Sequence, residues 1–150
     1  MAKVYLSLGS NLGEKKEQLD KAITLIGERA GEVVGKSSYY LTEPWKMETK
    51  NKFLNAAICI QTQLTPLVLL MTLQQIEKDM GRIKKSTSKK YEDRIIDIDI
   101  LLYDSVKVQT FELTLPHPHM WERPFVLKPL AEIYPQLLDK KPSYHQSIIP

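Results

Sequence analysis

Arg94-Ile95-Ile96-Asp97-Ile98-Asp99-Ile100-Leu101-Leu102 is the stretch on which the fold turns. Apolar and acidic residues alternate through it, the period-2 pattern of a half-buried strand running from Arg94 to Tyr103. Residues two apart on a strand share a face. Asp97 and Asp99 therefore point one way, and Ile96, Ile98, Ile100 and Leu102 point the other way, into a core. Reading backward, 82–93 is a charged loop without apolar periodicity. Before it, Thr65 as N-cap and Pro66 in the first turn open a helix that runs to about Met80 and stops at Gly81. Phe53 to Gln61 reads as a strand, Thr42 to Lys52 as a loop, and Glu32 to Leu41 as another strand. Leu19, Ala22, Ile23 and Ile26 lie at helical spacing within Glu14 to Arg29, and Val4, Leu6 and Leu8 alternate in a first strand. The order is β-α-β-β-α-β, that of a split βαβ or ferredoxin-like α+β core. Beyond it, short strands are expected near Val106–Val108 and Glu112–Leu115, a helix over Phe125 to Ile133, and an irregular tail over 135–150.

The chain has 150 residues, 43% hydrophobic and 26% charged, with a net charge of +3. That suits one domain spanning 1–150 with its own core. The weak positive charge argues against a nucleic-acid partner. The N-terminus does not read as a secretory signal, and the longest apolar stretch, Leu67 to Met71, is far too short to span a membrane. A single cysteine fits a reducing compartment, so the expectation is a cytoplasmic protein with Cys59, between Ile58 and Ile60, as a small core residue.

Two carboxylates side by side on an apolar strand repel each other, and burial raises that cost. A cation must compensate. It can be Mg2+, which commonly takes one or two carboxylates plus substrate phosphates. It can equally be Arg or Lys on a solvated sheet face. The upstream loop bears on the choice, because Arg82, Lys84, Lys85, Lys89, Lys90 and Arg94 crowd into 82–94. Carboxylates for metal and cations for phosphate oxygens are what phosphoryl transfer needs, since its catalysis is mostly positioning and charge neutralisation. The other reading of the loop is a solvated charged segment. His117 and Arg123, held between prolines, can serve phosphate or structure. Phe53 and Asn55 share a strand face and suit a planar heterocycle by stacking and amide hydrogen bonds. Core packing and a strand-edge hydrogen bond explain them as well. Gly9-Ser10-Asn11-Leu12-Gly13 lacks the lysine of a phosphate loop, and helix capping by Ser10 or Asn11 is the expectation there.

Leu8-Gly9-Ser10-Asn11-Leu12-Gly13, Thr42-Glu43-Pro44-Trp45, Phe53-Leu54-Asn55-Ala56-Ala57, Asp93 to Leu101, and Pro116-His117-Pro118 with Glu122-Arg123 and Phe125-Val126-Leu127 occur in this order. With them the chain resembles the 6-hydroxymethyl-7,8-dihydropterin pyrophosphokinases over nearly its whole length. The resemblance implies a three-layer α/β/α sandwich around a mainly antiparallel sheet. It implies transfer of the β,γ-pyrophosphate of ATP to the pterin's hydroxymethyl oxygen, with release of AMP, in folate biosynthesis. Two Mg2+ would be bound by Asp97 and Asp99, with Arg82 and Arg94 also in the catalytic set. The pterin would meet Thr42, Pro44, Trp45, Phe53, Asn55 and Phe125. ATP would meet Gln74, Glu77, Arg82, Lys84, Arg94, Ile100, Leu113, Thr114, His117 and Arg123. The basic loop would be a lid, and the enzyme a monomer acting on small molecules.

The chain departs from the family pattern in four places. Glu92-Asp93 stand where Gly-Pro is usual, Lys84 where some members have Arg, Lys46 where Gly is common, and Tyr91 at the place of a lid Trp. Two other readings compete with an active kinase. One is a pterin- or nucleotide-binding regulator without catalysis. The other is a ferredoxin-like RNA-binding module, which needs an aromatic sheet face open to single-stranded bases.

Overall fold

The computed structural model describes residues 1–43, 51–81 and 95–140. Strand β1 (Ala2–Ser10) is followed by helix α1 (Lys15–Arg29), strands β2 (Glu32–Lys36), β3 (Tyr40–Thr42) and β4 (Phe53–Thr62), helix α2 (Pro66–Asp79) and strand β5 (Asp97–Tyr103). A hairpin of β6 (Val108–Gln109) and β7 (Thr114–Leu115), a 3-10 turn (Met120–Glu122), helix α3 (Pro124–Ile133) and a second 3-10 segment (Pro135–Lys140) complete it. The main sheet runs β2-β4-β1-β5, with β3 also paired to β4. Every pairing is antiparallel. β4 lies between β1 and β2, and β1 between β4 and β5, so two split βαβ units interlock. This is the ferredoxin-like order expected from the sequence.

Strand alternation sends side chains to two cores. Val4, Leu6 and Leu8 of β1, Ala56, Ile58 and Ile60 of β4, and Ile98 and Ile100 of β5 pack beneath α1 and α2. The helices contribute Leu19, Ala22 and Ile26, and Leu69, Leu73 and Ile76. Each fully buried aliphatic side chain contributes about 1.5–3 kcal/mol. On the opposite face Tyr5, Ala57, Cys59, Leu101 and Leu102 meet Met120 and, from α3, Val126 and Leu130. Helices on both faces make the three layers. Cys59 is 4% exposed, and burial raises its thiol pKa, as a core residue requires.

Four local expectations need correction. The strand expected over Glu32 to Leu41 is two strands, separated where Ser37 turns inward. The Ser37 N–H donates to the Ala57 carbonyl, and its Oγ accepts the Ala57 N–H at 2.9 Å, a side chain standing in for a ladder carbonyl. Leu102 does not share a face with Ile100. β1 pairs Leu6 with Ile100 but Tyr5 with Leu102, so Leu101 is the extra residue of a β-bulge, and Leu101 and Leu102 both enter the α3 core. Neither Ser10 nor Asn11 caps α1, whose N-cap is Glu14 with no side-chain cap bond. Ser10 ends β1 instead, with its hydroxyl buried and without a hydrogen-bond partner among the described residues. The tail is irregular only in part, since Pro135–Lys140 is 3-10 helical; 141–150 lie outside the described residues. Among those residues no helix is long and apolar enough to cross a membrane.

Candidate active site

The core beneath α3 runs out toward one end of the sheet, and the polar residues gather there. Gly9 pairs with Asn55 on one side and with Asp97 on the other. These three therefore stand abreast on adjacent strands, on the face that α3 packs against. Ser7, Ala57 and Asp99 form the next row by the same register. Asn55 is 4% exposed. Its Nδ2 donates to Thr42 Oγ1 at 2.7 Å, which fixes the plane of the amide. Thr42 lies opposite Phe53 in the β3–β4 pairing. A Cβ on Gly9 would come 3.1 Å from Asn55 Oδ1 and 3.5 Å from Phe53 Cδ1. The Asn55 and Phe53 side chains thus lie over Gly9, and the absence of a Cβ there lets them sit that close without shifting. Gly9 did not stand out in the sequence, where it read as part of a turn. Its signal was a glycine inside a strand pattern, which often marks close approach of another group.

Asp97 and Asp99 are half-buried on their shared face. Among the described residues no group of three or more His, Cys, Asp and Glu converges on a metal position. The two carboxylates on this face are hard oxygen donors. That fits Mg2+, which leaves its other positions to water and substrate phosphates, and does not fit a closed zinc site.

The Leu101 bulge also serves the site. Its carbonyl accepts the N–H of His117 at 2.9 Å, tying the segment after the cis Leu115–Pro116 peptide to β5. The His117 Nδ1 accepts the N–H of His119 at 3.2 Å, so the ring proton of the neutral imidazole sits on Nε2. Burial pushes the His117 pKa down to about 4; the Arg123 guanidinium and His119 act the same way, and Asp97 opposes them. His117, Arg123 and Asp97 are thus within electrostatic reach of one another. Arg123 is the N-cap residue of α3, with Pro124 following, and Phe125 packs half-buried against the α3 core.

Other expected residues take more structural positions. Glu77 is 8% exposed, and its Oε2 accepts the N–H of Ile98 at 2.8 Å. It thereby covers the edge strand β5 between the two aspartates. Gln74 is half-buried one helical turn earlier. The side chains of Ile100 and Leu113 are built into the α1/α2 core, so a nucleotide could meet only their backbone. Thr114 is half-buried in β7. Pro44, Trp45, Lys46, Arg82, Lys84, Lys85, Lys89, Lys90, Tyr91, Glu92, Asp93 and Arg94, and with them the expected lid, lie outside the described residues.

Comparison with known proteins identifies the family. The family model described as 7,8-dihydro-6-hydroxymethylpterin-pyrophosphokinase (HPPK) matches residues 5–135. The chain is 46% identical over 144 residues to a 2-amino-4-hydroxy-6-hydroxymethyldihydropteridine pyrophosphokinase of Porphyromonas gingivalis, covering 95% of this chain and 98% of that one. A protein of the same name from Bacillus subtilis is 42% identical over 134 residues, covering 89% and 78%. Among solved structures, the wild-type HPPK-DHPS of Plasmodium falciparum superposes with a TM-score of 0.72 at 15% identity, over 90% of this chain and 39% of that one. At that identity the likeness is one of fold. The chain belongs to the 7,8-dihydro-6-hydroxymethylpterin-pyrophosphokinase family.

Proposed function

We propose that the chain transfers pyrophosphate from ATP to the hydroxymethyl group of 6-hydroxymethyl-7,8-dihydropterin, a step of folate biosynthesis, at the row Asn55–Gly9–Asp97. That row is the observation that carries the reading. Neighbouring strands are about 4.8 Å apart, so it places an oriented amide two strands from a carboxylate, the span of a bicyclic ring with a one-carbon arm. Asn55 reads the polar edge of the pterin, with its amide plane set by Thr42. Phe53 and Phe125 hold the two faces of the ring, and Pro44 and Trp45 complete the pocket. The hydroxymethyl oxygen bonds to the β-phosphorus of ATP, the bond from that phosphorus to the α,β-bridging oxygen breaks, and AMP leaves.

Asp97 and Asp99 would hold two Mg2+, which neutralise phosphate charge when bound. One of these carboxylates accepts the hydroxyl proton. His117 stays neutral and donates from Nε2 to a phosphate oxygen. Arg123, at the positive end of the α3 dipole, faces the same charge. Arg82, Lys84 and Arg94 serve the triphosphate. Gln74, Thr114 and the backbone at Ile100 and Leu113 line the nucleotide. Glu77 contributes by holding β5 through Ile98. In this reading the chain is one domain, a cytoplasmic monomer that works on small molecules without a nucleic-acid partner.

The test is AMP release from ATP and Mg2+ with and without the pterin. Pterin-dependent AMP that EDTA and Asp97→Asn each abolish is the expected result. A folded Asp97→Asn variant with unchanged turnover would remove Asp97 from both metal binding and proton transfer.

A further inference from the structure

β3 has three residues and, among the described residues, pairs with β4 alone, a weak hold for the strand that orients Asn55. Side chains tie it down instead, from both faces of the sheet. The Tyr39 hydroxyl donates to Asp20 Oδ1 on α1. The next residue points the other way, and the Tyr40 hydroxyl donates to Glu132 Oε1 on α3 at 2.5 Å. Glu132 Oε2 takes two more bonds, from the Ser38 N–H at 2.9 Å and the Ser38 hydroxyl at 3.2 Å. These bonds hold the Glu132 carboxyl below its usual pKa range. Lys128, one helical turn earlier on α3, lies over the Tyr40 ring at 5.9 Å from its centroid. Tyr40 is the register partner of Asn55, and Thr42, two residues on, accepts the Asn55 amide.

We infer that Glu132 is a positioning residue for the pterin: by clamping Ser38 and Tyr40 it locks β3 to α3, and so fixes Thr42 and the Asn55 amide relative to Phe125 at the other end of the same helix. The inference rests on the reading that Asn55 meets the pterin. Glu132 itself does not touch the reacting groups. Its loss should loosen the pterin end and leave the nucleotide end as it was.

The experiment is steady-state kinetics with pterin and ATP varied separately, on Glu132→Ala, Tyr40→Phe, the double variant and Asn55→Ala. Hydrogen bonds to a charged acceptor lead to an expected rise of about tenfold in the pterin KM for Glu132→Ala. Tyr40→Phe, which keeps the ring against Lys128, should give a smaller rise, and the double variant less than the product of the two. The ATP KM and kcat should stay within about twofold. Pterin and ATP KM rising together with a falling Tm would mean a merely structural role, and an unchanged pterin KM in Tyr40→Phe and Glu132→Ala would overturn the clamp. If Asn55→Ala raises the pterin KM while the Glu132 and Tyr40 variants do not, the clamp alone fails. If Asn55→Ala changes nothing, the pterin reading fails and the inference falls with it.

Discussion

Gly9 shows how much of the site depends on a missing atom. Its Cβ position lies 3.1 Å from Asn55 Oδ1, closer than a methyl can sit without displacing the amide. Gly9→Ala should therefore raise the pterin KM by about five- to tenfold while the ATP KM holds, as separate titrations of the two substrates would show. His117 makes a second prediction at this scale. Its folded pKa, about 4, is below the ordinary value near 6.5. The unfolded chain therefore binds the proton more readily, and stability is lost as pH falls from about 6.5 toward 4. The loss is on the order of 3 kcal/mol. Urea unfolding between pH 4 and 7 should show that slope flattened in His117→Gln; an unaltered slope would mean that His117 is not the group held neutral. The pairing of Asp97 and Asp99 on one face was readable from residue type and spacing, whereas Asn55 and His117 stayed open on that ground and entered through the family resemblance. Gly9 was not readable, because only the β1–β4 register brings Asn55 across it.

At the scale of elements, periodicity located the strands and helices and failed where a side chain replaced the backbone. Glu32 to Leu41 alternates like one strand, yet Ser37 interrupts it by accepting the Ala57 N–H. Ser37→Ala would leave that buried donor unsatisfied and should cost about 1–3 kcal/mol, measurable by urea unfolding, together with faster hydrogen exchange at the Ala57 amide. No loss of stability would show that β2 and β3 do not need this bridge. The Leu101 bulge was equally hidden. Ile98, Ile100 and Leu102 alternate without a break in the sequence, and the extra residue appears only against β1. It brings a second leucine to α3 and frees a carbonyl for His117. α1 similarly begins without the expected cap, because Ser10 is committed to the end of β1.

For the whole molecule, one sheet divides two kinds of work. The α1/α2 side is continuous core, and the α3 side is core at one end and site at the other. Truncation on the first side should lower stability with little effect on pterin binding. Leu73→Ala, at a position 1% exposed, should cost about 2–5 kcal/mol. Urea unfolding would measure it, and the pterin KM of the folded fraction should be unchanged. A large KM shift would mean that the two layers are coupled more tightly than the packing indicates.

The sequence by itself determined the β-α-β-β-α-β order and the strand face of the two aspartates. It also carried the residue types that the proposed metal–phosphate site would use. Those features are local, set by 2.0 and 3.6 residue periods and by the chemistry of each side chain. Only the tertiary structure decided the Asn55–Gly9–Asp97 row, the two-sided anchoring of β3 and the edge contact of Glu77 with Ile98. Each of these joins residues far apart in the chain, so it depends on strand register and helix packing, which no local pattern encodes.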